Sequence, residues 1–265
     1  MDSGELMKTV AGDAWREKLA AWAIPQEILD QAPEDPWIHP PVMFQIPETI
    51  EDSISHQRAR EAVPKNGSVL DIGCGGGIAA YAVTPPAAHV IGVDHQSEML
   101  EMFKENASKR GITAEVFEGF WPAIEQQVPV ADVATAHHVV YNVSAIEDFL
   151  VAMNSHASKR VVLEMPQRHP LTTATPLWKH FWNLERPVEP TPEDLIQVLS
   201  QLGIKANLEL WGGSMRTESD LESQAHFSRI RLCLPPSREG EVLEFLKTQP
   251  KIAIRNLATI WWDIN

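Results

Sequence analysis

The chain has few cysteines and few basic residues, and it lacks a long apolar run. Its two cysteines, Cys74 and Cys233, stand far apart among 265 residues, which predicts free thiols in a reducing compartment and no disulfide framework. No apolar stretch approaches the ~18 residues of a membrane span, and the N-terminus lacks a signal-peptide core. These absences predict a soluble, cytoplasmic protein without a membrane partner.

The balance of charge is strongly acidic. The chain has 22 lysines and arginines against 36 aspartates and glutamates, for a formal net charge of −14 at pH 7. Such a field repels a phosphate backbone. We therefore expect a small-molecule substrate and no nucleic acid, and the composition leaves both a monomer and a homodimer open.

The N-terminal part, residues 1–47, reads as a helical extension. Apolar spacing predicts one helix over 14–23 and a second, short one from Pro25. Prolines crowd residues 32–47, so this stretch predicts an irregular loop that could serve as a lid. The main domain then spans 48–265 and opens with a predicted helix over 48–63.

The main domain alternates short strands with amphipathic helices. Predicted strands are 68–72, 89–94, 114–119, 130–136 and 160–165. After an insertion at 171–190 we expect a helix at 191–203, two strand candidates at 205–211 and 226–234, a helix at 238–248 and a strand-like segment at 257–264. The pattern predicts an α/β fold: a Rossmann-like, doubly wound, mostly parallel, seven-stranded sheet with helices on both faces.

A glycine loop follows the first predicted strand, in the sequence VLDIGCGGG at 69–77. Gly73, Gly75 and Gly77 allow a sharp turn and close approach of a ligand, and the next helix offers free N–H groups at its start. The run also matches the dinucleotide fingerprint through Ala80, but no Gly-Lys-Ser/Thr follows, which excludes a P-loop. The loop thus predicts an adenosyl or dinucleotide cofactor.

Two aspartates near this loop refine the cofactor. The carboxylate of Asp71 would repel a pyrophosphate and attract the ammonium and sulfonium of S-adenosylmethionine, unless it only caps local backbone. Asp94 ends the second strand about 20 residues after the first glycine, where a carboxylate can accept hydrogen bonds from ribose hydroxyls or cap the next helix. His95 could lie against adenine or on the surface.

These residues resemble a known family. D-I-G-C-G-G-G at 71–77 is similar to motif I of the class I S-adenosylmethionine-dependent methyltransferases, and the likeness covers about residues 48–203. It implies that Asp71 and the backbone of Gly73 and Gly75 face the methionine part of the cofactor. The family commonly has Gly-Asp after the third strand. Here Gly119 precedes Phe120, which implies adenine binding by backbone N–H groups and aromatic contact.

A second likeness involves the ends of the chain. AWAIP, PWIHPP, HHVVYNV and ERPVEPT resemble segments of uncharacterised actinobacterial methyltransferases. This likeness implies that both ends of the chain belong to the same family.

Polar side chains follow the fourth and fifth strands, where the ligand crevice of an open α/β sheet lies. His137, His138 and Tyr141 are candidate general bases, and His137 could also border the methionine moiety. Glu164 and His169 could orient an acceptor or lie in solvent. Adjacent histidines on a strand point to opposite faces and no third ligand is in register, so we expect no metal site.

The sequence thus predicts an S-adenosylmethionine-dependent methyltransferase that acts on a small or medium-sized organic acceptor and releases S-adenosylhomocysteine. The alternatives are an NAD(P)-dependent oxidoreductase and a non-catalytic sensor of an adenosyl cofactor. The expected cofactor-binding residues are Asp71, Gly73, Gly75, Asp94, His95, Gly119, Phe120 and His137.

Overall fold

A computed structural model describes residues 8–37, 46–47, 49–214, 220–250 and 254–264. The strands are β1 (Ser68–Ile72), β2 (His89–Asp94), β3 (Thr113–Glu118), β4 (Ala131–His137), β5 (Ala157–Pro166), β6 (Asn207–Ser214) and β7 (Ile254–Asp263). The helices are α1 (Val10–Ala20), α2 (Gln26–Leu29), α3 (Ile54–Ala62), α4 (Ile78–Ala82), α5 (Ser97–Arg110), α6 (Ile146–Ser155), α7 (Thr175–Trp182), α8 (Pro192–Gln201), α9 (Leu221–Arg231) and α10 (Glu239–Thr248).

The described strands form one seven-stranded sheet in the order β3-β2-β1-β4-β5-β7-β6. The first five strands are parallel, while β7 runs antiparallel between β5 and β6. The predicted Rossmann-like, mostly parallel sheet with helices on both faces is therefore confirmed. The strand order reverses direction between β1 and β4, and such a switch point opens a crevice at the carboxyl ends of the strands.

The sheet is buried on both faces at its centre. Val69 and Leu70 of β1 are fully buried on opposite faces. Helices α3, α4 and α5 cover the face of Val69, and α1, α6 and α8 cover the face of Leu70. Central parallel strands with helices on both sides read as continuous apolar runs for this reason. Edge strand β3 alternates in exposure instead.

Helix α1 belongs to the main core. Trp15 is fully buried, and its indole N–H donates to the carbonyl of Val143 at 2.9 Å. The buried carboxylate of Glu147 accepts from the backbone N–H of Thr9 at 3.0 Å and pairs with Arg16 at 2.8 Å. The extension therefore begins with a docked helix. Residues 1–7, and residues 38–45 of the predicted proline-rich lid, lie outside the described residues.

A second, smaller core joins α2, α7, α9 and α10. Its buried apolar residues are Ile24, Ile28, Leu177, Trp178, Ala225, Leu232, Cys233, Leu234 and Val242. The predicted insertion at 171–190 supplies α7, and the connection between β6 and β7 supplies α9 and α10. Two chain segments inserted after different strands thus pack together with the N-terminal extension.

The predicted strand at 226–234 is wrong, because residues up to Arg231 form helix α9. Alternation of polar and apolar residues favoured a strand, but Arg229 is a buried residue on the helix face of Ala225 and Ile230. Its guanidinium lies 2.7 Å from Glu34 and 3.1 Å from Glu239. Because Arg229 is buried and paired with two carboxylates, it lies on the buried face of α9. A charged residue at that position obscures the helical spacing of apolar residues in the sequence.

Helix α3 begins later than the predicted residue 48. Ser53 caps it, with the Ser53 hydroxyl accepting from His56 N–H and the His56 ring accepting from Ser53 N–H, both at 3.2 Å. This reciprocal cap fixes the imidazole of His56 at the start of the helix. None of the described helices has both the length and the apolarity to cross a membrane.

Candidate functional site

The glycine loop after β1 has the backbone that its sequence predicts. Gly73, Gly75 and Gly77 have φ angles of 66°, 50° and 97°, in the left-handed region that favours glycine. A Cβ at Gly73 would lie 2.6 Å from the side chain of Val139. The loop after β1 therefore touches the loop after β4, and a larger residue at Gly73 would force them apart.

Asp94 at the end of β2 holds this loop in place. Its carboxylate accepts from Gly75 N–H and from Gln96 N–H, each at 3.0 Å. The second bond holds the backbone at Gln96, just before α5. A carboxylate offers about four acceptor positions, so both oxygens keep capacity for a further donor. Asp94 is 8% exposed and lies at the crevice that the strand order predicts.

Asp71 lies deeper than the sequence analysis assumed. It is 2% exposed, and its two oxygens accept from Ala80 N–H at 3.3 Å and from the Thr135 hydroxyl at 3.2 Å. Burial raises the pKa of Asp71 to about 8. These contacts match the capping alternative, and a carboxyl that holds its proton near neutrality attracts a sulfonium less than an ionised one does. Its cofactor role stays a prediction.

Aromatic rings stand at the rim beside Asp94. Phe120 is 69% exposed and stacks on His95 with ring centroids 4.6 Å apart. The N–H of Gly119 donates to the carbonyl of Asp94 at 2.9 Å, which ties the end of β3 to that of β2. The structure thus brings together three residues predicted to contact adenine. The neighbouring Trp121 packs against the main core.

His137 and His138 lie on the same side of Glu164. Strand β4 ends at His137, whose ring stacks on His56 with centroids 5.4 Å apart. His138 leaves the strand with φ of 62°, and its Nε2 lies 3.1 Å from Oε1 of Glu164. Because His138 leaves the strand in the left-handed region, the strand alternation from which opposite-facing rings were expected ends at His137. Such backbone strain often accompanies a functional site.

Glu164 is a buried carboxylate that stays ionised. Burial opposes its charge, but positive charge on His137 and His138 and a hydrogen bond from His138 hold the pKa of this carboxyl below its usual range. The Ser53 hydroxyl donates to its other oxygen at 3.3 Å. A carboxylate fixed beside an imidazole orients the ring and stabilises its protonated form.

Arg255 completes this group and was missed in the sequence. It lies near the start of β7, with its Nη2 atom 3.0 Å from Nε2 of His138. No local pattern marks it, because the antiparallel pairing of β7 with β5 brings a distant segment to the crevice. Tertiary structure alone reveals its position.

Aromatic contacts link this group to the second core. The ring of Tyr141 lies 6.5 Å from that of His138 and 5.6 Å, edge-on, from that of His169. His169 in turn stacks on Trp22 at 4.2 Å, and burial lowers its pKa to about 4. His169 is thus a neutral, packed residue at neutral pH. The predicted base candidate Tyr141 lies between the packed histidine and His138.

Among the described residues, no group of three or more histidine, cysteine or acidic side chains is arranged to hold a metal ion.

The site has two parts. The ends of β1, β2 and β3 present glycines, a ribose-type carboxylate and exposed rings. The ends of β4 and β5 and the start of β7 present an imidazole near a carboxylate and a guanidinium. The first part suits a nucleoside, and the second can accept a proton.

Comparisons with known proteins point to a methyltransferase domain. Residues 69–159, from β1 into β5, match the family model described as a methyltransferase domain. An uncharacterized protein of Haemophilus influenzae is 29% identical over 211 residues, covering 75% of this chain and 76% of that protein. The ubiquinone biosynthesis O-methyltransferase of Haemophilus ducreyi is 47% identical over 45 residues, which cover 17% of this chain and 19% of that enzyme.

Solved structures share the fold. The YcgJ protein of Bacillus subtilis aligns with a TM-score of 0.53 at 17% identity, covering 80% of this chain and 97% of that one. A structure described as a putative methyltransferase of Bacillus halodurans aligns with a TM-score of 0.53 at 16% identity, covering 79% and 95%. Residues 69–159 thus match a methyltransferase-domain model, and the chain shares its Rossmann-like fold with these structures.

Proposed function

We propose that the protein is an S-adenosylmethionine-dependent methyltransferase acting on a small or medium-sized organic acceptor. The carrying observation is the glycine loop at the β1/β4 switch point, held by Asp94, within the matched methyltransferase domain. The sheet order also argues against the nicotinamide alternative, since the common dinucleotide order 3-2-1-4-5-6 has no antiparallel strand inserted between its fifth and last members. The actinobacterial likeness stays a prediction.

The residues present fit the cofactor. Because a Cβ at Gly73 would meet Val139, only glycine backbone can line the loop there. Asp94 can accept from ribose hydroxyls with the acceptor capacity left by its two backbone bonds, and His95 with Phe120 offers a stacking surface for adenine. Gly73 and Gly75 would contact the methionine part, and His137 would border it. The sulfonium, when bound, supplies an activated methyl group and a good leaving group.

The chain's own contribution to methyl transfer is alignment and removal of a proton. We assign the general base to His138, with Glu164 as its orienting partner: Nε2 lies 3.1 Å from that carboxylate and can donate to it, which leaves Nδ1 as the atom that takes the proton. His138 takes the proton that the acceptor atom loses as that atom bonds to the methyl carbon and the carbon–sulfur bond breaks. His137 and Tyr141 flank this ring and remain candidates for the same role.

The second core supports the acceptor side. Trp22 and His169 stack at its border, and His169 touches Tyr141. We propose that this core and the N-terminal extension roof the acceptor, so that closure excludes water from the transfer. A possible lid was predicted within residues 1–47. The part of it that this proposal concerns includes α1 and α2.

Thermal unfolding with S-adenosylmethionine, S-adenosylhomocysteine and NADH tests the cofactor. We expect stabilisation by the two adenosyl compounds, because a ligand that binds only the folded state raises the melting temperature. Stabilisation by NADH alone would refute the proposal. Release of S-adenosylhomocysteine with a panel of small acceptors then separates an enzyme from a sensor, and a His138→Gln variant that keeps cofactor binding should lose that release.

A further inference from the structure

Arg255 differs from most arginines of the described chain in its partner. Six others pair with carboxylates: Arg16, Arg58, Arg60, Arg160, Arg229 and Arg238. Among the described residues, the polar partner of the Arg255 guanidinium is the ring nitrogen of His138 at 3.0 Å. The chain has a net charge of −14. The half-buried guanidinium of Arg255 pairs with no carboxylate among the described residues, so its positive charge can attract a further, anionic group.

The nearby carboxylate of Glu164 is already engaged. One oxygen lies 3.1 Å from His138, and the other accepts from Ser53 at 3.3 Å. Glu164 is 6% exposed, whereas Arg255 is half-buried at the rim. Nε2 of His138 therefore lies near both a buried carboxylate and a half-buried guanidinium.

His138 and Arg255 differ in their position relative to the proposed cofactor side. Val139 directly follows His138, and its side chain contacts the loop at Gly73. His138 thus stands next to the glycine loop, while Arg255 reaches it from β7, on the side away from β1 in the sheet order. A molecule that contacts His138 from the crevice would therefore contact Arg255 on the side farther from β1.

We propose, on the basis of the proposed function, that the methyl acceptor carries a carboxylate that Arg255 binds while His138 faces the atom to be methylated. A guanidinium presents paired N–H donors that match the two oxygens of a carboxylate. A phosphate dianion fits less well, because Asp94, Glu164 and the acidic surface oppose a second negative charge.

Matched acids and amides test this inference. Aromatic and aliphatic carboxylic acids, such as benzoate and phenylacetate, are titrated by ligand-observed NMR into the protein saturated with S-adenosylhomocysteine, and each is compared with its primary amide. We expect the best-bound acid to bind at least ~10-fold more tightly than its amide, since a charged hydrogen-bonding pair contributes that much or more. Arg255→Gln should remove the difference, and Arg255→Lys should restore part of it.

Arg168→Gln is the matched control, because Arg168 is an exposed cation just after β5 at the same sheet edge. It should keep the preference for acids. Equal binding of acid and amide, no binding of any acid at millimolar concentration, or a preference that survives in Arg255→Gln would overturn the inference. The titration of S-adenosylhomocysteine itself separates the two proposals: its failure to bind refutes the proposed function, whereas tight binding without acid preference refutes only the carboxylate site.

Discussion

Replacement of Asp94 by asparagine should weaken cofactor binding far more than it weakens the fold. The carboxylate now accepts from Gly75 N–H and Gln96 N–H, and an asparagine of the same shape keeps one acceptor oxygen. Its amide nitrogen would then face one of these donors. We expect the loop to shift slightly and the carboxylate to be lost for the ribose hydroxyls.

The magnitude follows from the bonds involved. A hydrogen bond to a charged group contributes about 1.5–3 kcal/mol, so the loss of one such bond raises the dissociation constant of S-adenosylhomocysteine ~10- to ~100-fold. The cost to folding should be smaller. Loss of one hydrogen bond between a side chain and the backbone lowers the free energy of unfolding by about 0.5–1.5 kcal/mol.

Isothermal titration with S-adenosylhomocysteine and with its 2′-deoxy analogue measures the effect directly. The wild-type protein should bind the deoxy analogue more weakly, while Asp94→Asn should discriminate little between the two ligands. Glu101→Gln, on the exposed face of α5, removes the same charge away from the loop and serves as control. Unchanged affinity in Asp94→Asn, or undiminished discrimination between the ligands, would refute the ribose assignment.

Three further predictions concern the loop and two buried titratable groups. Gly73→Ala should lower the free energy of unfolding by ~1–3 kcal/mol more than Gly111→Ala in urea titrations, because both residues have φ of 66° but only Gly73 has a neighbour within 4 Å. Burial raises the pKa of Asp71 to about 8. The free energy of unfolding of the wild type should therefore fall relative to that of Asp71→Asn as the pH rises from about 4 to 8. Parallel curves of unfolding free energy against pH for the two proteins would contradict this. Burial lowers the pKa of His169 to about 4. The folded state therefore favours the neutral ring, and the free energy of unfolding decreases as the pH falls from 6.5 toward 4. His169→Phe, which retains a ring against Trp22, should reduce that decrease.

The sequence predicts the backbone of the glycine loop and the position of Asp94 well because their signals are local. A buried strand, the glycines after it and the aspartate that ends the next strand lie within one β-α-β unit. Gly73 and Gly75 have the positive φ values that their residue type permits. Asp94 reaches the loop because β1 and β2 are adjacent and in register. Short-range pattern and backbone preference suffice to place these residues.

The acceptor side depends on contacts between distant segments, and there the sequence predicts less. His138 and Arg255 meet because β7 enters antiparallel beside β5, which no spacing in the chain specifies. Helix α9 escapes detection for a related reason. The charge of Arg229 is neutralised by Glu34 and Glu239, from other parts of the chain, so a residue that reads as polar lies on a buried face.

Charge divides the site at the seam between β1 and β4, where Val139 touches Gly73. The proposed cofactor side holds the carboxylate of Asp94, and the proposed acceptor side holds His138 and Arg255 about the buried Glu164. A cationic sulfonium is favoured on the first side and an anionic acceptor on the second. Opposite preferences on either side of one seam would orient the two reactants with the methyl group between them, which reduces the task of catalysis to alignment and removal of one proton.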